Sequence, residues 1–455
     1  MSLTIRNVEI EGRPGLDVRL EHGRIAEIGA GLRGGDEIDG QGGALIPGLC
    51  DHHIHLFGLA ARADSVTLED VRDAKGFAAR IAAAVAARAP GAWVRVLGYH
   101  EAMAGDLTRA DLDALAPRHR LRVQHQTGSL WILNSLALEA LGDGEDPPDL
   151  ERATGRIWRG DAWLRSRIGA RPPPLAPIGA RLAAYGITAL TDASVTTDAD
   201  AAGRLAEARR AGDLPQRLML MSGGPLAAPA DAAFAVGPLK VLLDDHALPD
   251  FDAFLGRVAA ARAQGRAVAV HCVTAAELAL TLAVFEAAGS QPGDRIEHGS
   301  VIPPQAIGVL KRQGLTVVTQ PAFVHERGDR YAAEVAAEDQ PDLYRCRSLL
   351  DAGVPLAASS DAPYASPDPW AGIAAAVRRA TQGGLVLGAD ERVTPSEALA
   401  LYLDEPAAPG RAPRRVAVGA AADLCLLDVP LRDVLAAPDA RRVRATLVAG
   451  RVVHG

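Results

Sequence analysis

Apolar and polar positions change rhythm twice along this chain. Over the first 43 residues they alternate with period two in short pieces: Leu3-Thr4-Ile5, Val8-Glu9-Ile10, Asp17-Val18-Arg19-Leu20, and Arg24-Ile25-Ala26-Glu27-Ile28 after the turn Glu21-His22-Gly23. Such alternation between glycine-containing turns predicts half-buried antiparallel strands. The last forty residues read alike, with Ala422–Asp428, Arg444–Ala449 and Val452-Val453 after a Gly450-Arg451 turn. Neither end has enough strands to be stable alone, so both are expected to form one composite β-sandwich domain, residues 1–43 plus 412–455.

Between the ends the rhythm becomes apolar runs followed by Ala-rich helical segments. The runs number eight: Ala44–Gly48, Gly186–Ala193, Arg217–Ser222, Leu239–Leu243, Ala267–His271, Asp294–His298, Leu315–Gln320 and Pro355–Asp361. Continuous apolar runs fit strands buried on both faces of a parallel sheet. One intervening helix is explicit: Phe251, Phe254, Leu255, Val258 and Ala259 recur at helical spacing, with Asp250 as N-cap and Gly265 beyond the end. A (β/α)8 barrel averages roughly 31 residues per unit, and Lys240 to His271 is 31 residues. An α/β fold is therefore expected, a TIM barrel over residues 44–411. Residues 57–180 separate the first two runs and carry strand-like pieces of their own, Trp93–Gly98 and Leu121–Gln126. They are read as an insertion subdomain near the active-site mouth.

Composition narrows the function classes. Hydrophobic residues are 48% and charged residues 23%, as in soluble globular proteins. The net charge of −8 is interspersed and leaves no nucleic-acid footprint. No apolar run approaches the roughly 20 residues that span a bilayer, and the N-terminus lacks a signal-peptide pattern. The four cysteines form no C-x-x-C pair. A cytoplasmic protein with reduced thiols and a small-molecule substrate is expected, without nucleic acid or membrane partners. A homodimer through barrel helices is compatible with this architecture.

Candidate chemistry lies at the ends of the apolar runs. Asp51-His52-His53-Ile54-His55 offers two imidazoles two residues apart, which on a strand point the same way. Lys240 lies in the fourth run, and His271, His298 and Asp361 close the fifth, sixth and eighth. Catalytic residues of such barrels sit at the C-terminal strand ends, so these side chains converge. Taken singly, His271 reads as a hydrogen-bonded core histidine, His298 as half of a structural pair with Glu297, and Lys240 as a salt-bridged lysine. Five coincidences of that kind at matched strand ends are improbable, and imidazole with carboxylate is a metal-binding chemistry.

Pro47-Gly48-Leu49-Cys50-Asp51-His52-His53-Ile54-His55 resembles the Gly-(Leu/Phe)-x-Asp-x-His-x-His opening of the amidohydrolase superfamily. Arg295-Ile296-Glu297-His298, Thr319-Gln320-Pro321, Ser359-Ser360-Asp361-Ala362-Pro363-Tyr364 and Leu133-Asn134-Ser135-Leu136-Ala137-Leu138 are similar to later blocks of its YtcJ-like branch, the amidohydrolase 3 family. The resemblance implies a binuclear metal centre. His53, His55 and Asp361 would hold the more buried ion, His271 and His298 the more exposed one, and Lys240, carboxylated by carbon dioxide, would bridge them. Zinc is the first expectation, with manganese and iron also suiting these ligands. It further implies a metal-bridging hydroxide that attacks a carbonyl carbon, with Asp361 as base and then acid, so that a carbon–nitrogen bond is hydrolysed. Asp51 is expected to orient the ligand pair from behind.

Three blocks depart from that branch. His271-Cys272-Val273-Thr274-Ala275 stands for His-x-x-Gly-Asp, Thr127-Gly128-Ser129 for Ser-Gly-His, and Asp244-Asp245-His246 for Asp-Gly-Ser. Substrate contacts are sought in the insertion and beyond the strand ends, at Tyr99, His100, Glu101, Trp131, Asp244, His246, His325, Arg327 and Tyr364. The rivals to amide cleavage are an ester, lactone or cyclic imide substrate, a deaminase, against which Lys240 argues, and a catalytically silent scaffold.

Overall fold

The computed structural model describes residues 2–68, 70–142, 144–168 and 173–455. Two compact units emerge, one of Met1–Leu56 with Leu175–Gly455 and one of Phe57–Pro174.

The first unit is built on eight parallel strands: Leu49–Ile54, Ile187–Asp192, Arg217–Ser222, Ala235–Val241, Val268–Cys272, Arg295–His298, Thr316–Thr319 and Leu356–Ala358. They pair in chain order. The ring closes just past the eighth strand, where Asp361 N–H donates to His53 O at 2.8 Å and His55 N–H to Ala362 O at 2.8 Å. The first, second, sixth, seventh and eighth strands are buried along their whole length, as a sheet jacketed by helices requires. The helix expected from residue 251 runs Phe251–Ala263, capped by the Asp250 carboxylate and followed by Gly265 at φ +66°. Another, Ala275–Ala288, starts in a capping box of Thr274 and Glu277.

Both termini form two four-stranded sheets. Ser2–Ile10, Arg13–Glu21, Arg24–Gly29 and Asp36–Asp39 make one; Leu45–Pro47, Leu424–Leu427, Val443–Val448 and Arg451–His454 make the other. Ile5, Val8, Val18 and Ile25 of the first share a core with Leu45, Leu424 and Leu447 of the second.

This placement corrects the reading of the first apolar run. Leu45–Pro47 is not a barrel strand; it pairs antiparallel with Leu424–Leu427. The barrel begins at Leu49, after Gly48. A Cβ on Gly48 would lie 2.1 Å from the Thr188 side chain, so only glycine lets the chain pass from one sheet into the other. Leu45–Pro47 is as fully buried as a barrel strand, so its apolar run alone does not show which sheet it joins.

The second unit has a six-stranded sheet that includes Trp93–Tyr99 and Arg120–His125, the two strand pieces expected there. Its core gathers Phe77, Ile81, Val94, Val96, Leu121 and Val123. It ends at Pro174 rather than near residue 180. The helix Ala176–Ala184 buries Ile178 and Leu182 and packs on the second barrel strand and on the terminal strands Val443–Val448 and Arg451–His454, which assigns it to the first unit. No helix among the described residues is long and apolar enough to cross a membrane.

Candidate metal centre

His53 sits inside the first barrel strand with both ring nitrogens away from water. Its Nδ1–H donates to the Glu297 carboxylate, a short contact, which leaves the Nε2 lone pair facing inward. Glu297 is in turn held by Arg295, whose Nε and Nη2 donate to its two oxygens and whose Nη2 also donates to His52 O at 2.6 Å. All three side chains are buried. Burial pushes the Glu297 carboxyl up, yet Arg295, Lys240 and His53 outweigh it and hold the group well below the usual carboxylate range.

Two other imidazoles, His55 and His298, are also held through Nδ1. His55 pairs through Nδ1 with Ser194 Oγ at 3.0 Å and places Nε2 3.1 Å from Asp361 Oδ1. His298 donates from Nδ1 to Gln320 Oε1 at 2.9 Å, while Gln320 Nε2 donates to Ser359 Oγ at 2.9 Å, which sets the amide's sense. His271 meets His298 edge-on at 4.5 Å between ring centroids, and His298 lies 4.8 Å from His53. His298 and Asp361 take positive φ, 69° and 53°. Backbone of that kind costs on the order of 1–3 kcal/mol for a non-glycine residue and gathers where a site dictates direction.

Burial keeps three of these rings, His53, His271 and His298, neutral. Desolvation, then Lys240, pushes His271 down to about 4. His53 and His298 also fall well below the ordinary histidine value, chiefly by burial. Lys240, near the end of the fourth strand, is likewise lowered by burial against the pull of Glu297 and Asp361. Neutral imidazoles with inward lone pairs are what a divalent ion needs. Lys240 Nζ, His53 Nε2 and Asp361 Oδ1 are buried without a hydrogen-bond partner, a costly arrangement that a bound cation would relieve. The donor atoms of His53, His55 and Asp361 all lie within 4.8 Å of one another. The residues present fit a metal.

Asp51 touches no imidazole. Its Oδ1 accepts from His53 N–H and Ser360 N–H and its Oδ2 from Ser360 Oγ, so it ties the first strand to the turn that carries Asp361. Asp192, at the end of the second strand, accepts from Leu56 N–H at 2.8 Å and Ser194 N–H at 3.0 Å and so sets the partner of His55. Ser194 and Gln320 escaped the sequence reading because their roles rest on contacts 139 and 22 residues away.

The expected substrate contacts divide. Tyr99 and Trp131 are core side chains of the second unit, not pocket walls. The Tyr99 hydroxyl donates to Gly105 O, and the Trp131 indole donates to Asp161 with Arg95 and Arg122 stacked on its ring. His100 and Glu101 cluster with His125 in that unit. Ala102 N–H and Thr127 N–H donate to Nδ1 of His100 and His125, so each Nδ1 is an acceptor. His125 Nε2 hydrogen-bonds Glu101 at 3.1 Å, so both nitrogens of that ring are used in hydrogen bonds, while His100 Nε2 lies 4.0 Å from Glu101. In the first unit, Asp244 and His246 form an exposed turn after the fourth strand. His325 donates to Ala380 O from an exposed position. Tyr364 stands edge-on to His55 at 5.8 Å, and Arg327 hydrogen-bonds Tyr364 O. Of the nine, Tyr364 and its neighbour Arg327 are the two that the structure ties to the centre within its unit.

A sequence-family profile described as an amidohydrolase family matches residues 36–454. The N-substituted formamide deformylase of Arthrobacter pascens is 25% identical over 94% of this chain and 92% of its own length. An uncharacterized metal-dependent hydrolase from Pyrococcus horikoshii superposes with a TM-score of 0.78 at 20% identity, covering 99% of this chain and 100% of that one. A second, from Pyrococcus furiosus, gives 0.76 at 21% identity, over 94% and 99%.

Proposed function

The chain belongs to the amidohydrolase family, and from that premise we propose that it is a metal-dependent hydrolase of carbon–nitrogen bonds other than peptide bonds, acting on a small amide. N-substituted formamides are the first class to try, since a relative matched along 94% of this chain is named for them. The observation that carries the reading is the convergence of three buried, unpartnered donors, on Lys240, His53 and Asp361, with neutral imidazoles around them.

His53, His55 and Asp361 would hold one divalent ion and His271 with His298 a second. Lys240 would join them once its neutral amine has added to carbon dioxide, giving a carbamate and releasing one proton. Metal held there supplies Lewis acidity and brings a water molecule to ionise near neutral pH. The proton carrier is Asp361, by occupancy. Glu297 is saturated by Arg295 and His53, Asp51 by Ser360 and the His53 amide, and Asp192 by two backbone amides. Asp361 Oδ1 is the carboxylate oxygen of that group left without a hydrogen-bond donor. It takes the proton from the water that adds to the amide carbonyl carbon. It then returns the proton to the departing nitrogen, and the carbon–nitrogen bond breaks to give a carboxylic acid and an amine.

Metal analysis of chelator-free protein tests this. About two ions per chain are expected, with a lower content in Lys240→Ala that short carboxylic acids partly restore. A Lys240→Ala protein with undiminished metal would overturn the bridging role, and wild-type protein that takes up no added zinc would overturn the reading as a whole.

A further inference from the structure

Arg327 is a half-buried guanidinium with unspent donors at the rim of the metal centre. It lies on the helix Ala322–Glu334 that follows the seventh barrel strand, while Tyr364 follows the eighth. Its charged plane rests on the Phe323 ring at 4.5 Å and lies 5.9 Å from the Tyr364 ring, and its Nη2–H donates to Tyr364 O at 2.7 Å. The Tyr331 phenol oxygen takes up another N–H group of Arg327, which leaves the rest of the fork open.

Six buried or half-buried arginines of this unit are used up internally. Arg262, Arg295, Arg345 and Arg347 each face a carboxylate. Arg266 and Arg379 each donate to three backbone carbonyls. Arg327 does neither: among the described residues no carboxylate lies within ion-pair distance of it. Phe323 and the Tyr364 carbonyl hold the plane in place, so a ligand meets a fork whose orientation entropy is already lost.

The Tyr364 ring connects this fork to the chemistry. It is 57% exposed, an unusual setting for an aromatic side chain, and stands edge-on to His55 at 5.8 Å. The two centroid distances bound the span from His55 to the guanidinium by their sum. Arg327 is therefore within one ring-sized spacer of His55, so a substrate with its scissile amide at His55 can reach it with an anionic group, the intervening part beside Tyr364.

We propose that this enzyme selects amides bearing a carboxylate beyond the scissile bond, with Arg327 as the carboxylate anchor and Tyr364 as the wall that the intervening apolar part lies against. The proposal rests on the reading of the centre as an amide hydrolase and names its substrate class.

The test compares 4-(formamidomethyl)benzoate with its 4-methyl analogue, which differs in lacking the charge. A charge-assisted, forked contact predicts that wild-type kcat/KM favours the carboxylate by about 10- to 100-fold. Arg327→Leu should bring that ratio near one, and Arg327→Lys, which keeps charge but not the fork, should leave it between. A wild-type ratio near one, or a ratio unchanged in Arg327→Leu, overturns the proposal while leaving amide hydrolysis standing. If metal-loaded enzyme hydrolyses neither compound, the functional reading fails instead. The anchor is then read by calorimetry with 4-methylbenzoate, whose Kd should rise about tenfold in Arg327→Leu; equal values overturn it.

Discussion

Replacing Glu297 by glutamine removes one charge from a sealed triad and leaves its shape. Glu297 now accepts from Arg295 through both oxygens and from the His53 Nδ1–H, with all three groups out of water. A glutamine whose oxygen takes the Oε2 position still accepts from His53 and Arg295 Nη2, but its NH2 then replaces Oε1 and faces the Arg295 Nε–H, donor against donor. The Arg295 cation would then be buried without a neutralising anion and with its Nε–H unpaired, keeping His52 O and one amide oxygen as acceptors. Removing one member of a buried pair costs about 3–5 kcal/mol, and the retained carbonyl bond places this case near about 3 kcal/mol. His53 loses the anion that fixes its tautomer and raises the basicity of Nε2. Changes behind a ligand of that kind weaken metal binding about 10- to 100-fold. Chemical denaturation of metal-free protein reads the first effect and competitive metal titration the second. A variant with wild-type midpoint and wild-type metal affinity would refute the argument. Lost stability with unaltered metal affinity would refute only the link from Glu297 to the ligand.

Asp361→Asn keeps the size of the proton carrier but not its basicity, and kcat on a formamide substrate should fall about 10²–10⁴-fold with the circular dichroism spectrum retained. His55→Ala should likewise abolish turnover, and a chelator should do so reversibly, with added zinc restoring it. Asp404 makes a pH-dependent prediction away from the centre. Burial raises its carboxyl from 3.8 to about 6, against the Gly410 N–H bond and Arg414. A raised acid stabilises the fold fully below its unfolded value, and that contribution is lost as pH rises through about 6. Asp404→Asn should therefore be more stable than wild type at pH 8 by about 1–2 kcal/mol and no more stable near pH 4, read from urea midpoints at both values.

Much of the fold was legible because its signals are local. Period-two alternation marked the terminal sheets, apolar runs marked seven of the barrel strands, and Asp250 with Gly265 bracketed a helix. The spacing of His53 and His55 along a strand is a property of three consecutive residues. What escaped depended on which distant segments came to lie side by side. Gly48 divides two strands that belong to different sheets, and the run Ala44–Gly48 carries no mark of that division. Tyr99 and Trp131 looked like pocket residues because a strand-end aromatic has the same sequence signature whether its ring faces a cavity or a core.

Residue types and spacing determined that metal-binding chemistry was present and that a barrel would carry it. The tertiary structure alone decided which nitrogen of each imidazole faces inward. That choice comes from Glu297, Ser194 and Gln320, brought to His53, His55 and His298 across 244, 139 and 22 residues. A ring's tautomer is set by the partner on its far nitrogen, and strand pairing determines which residue that partner is.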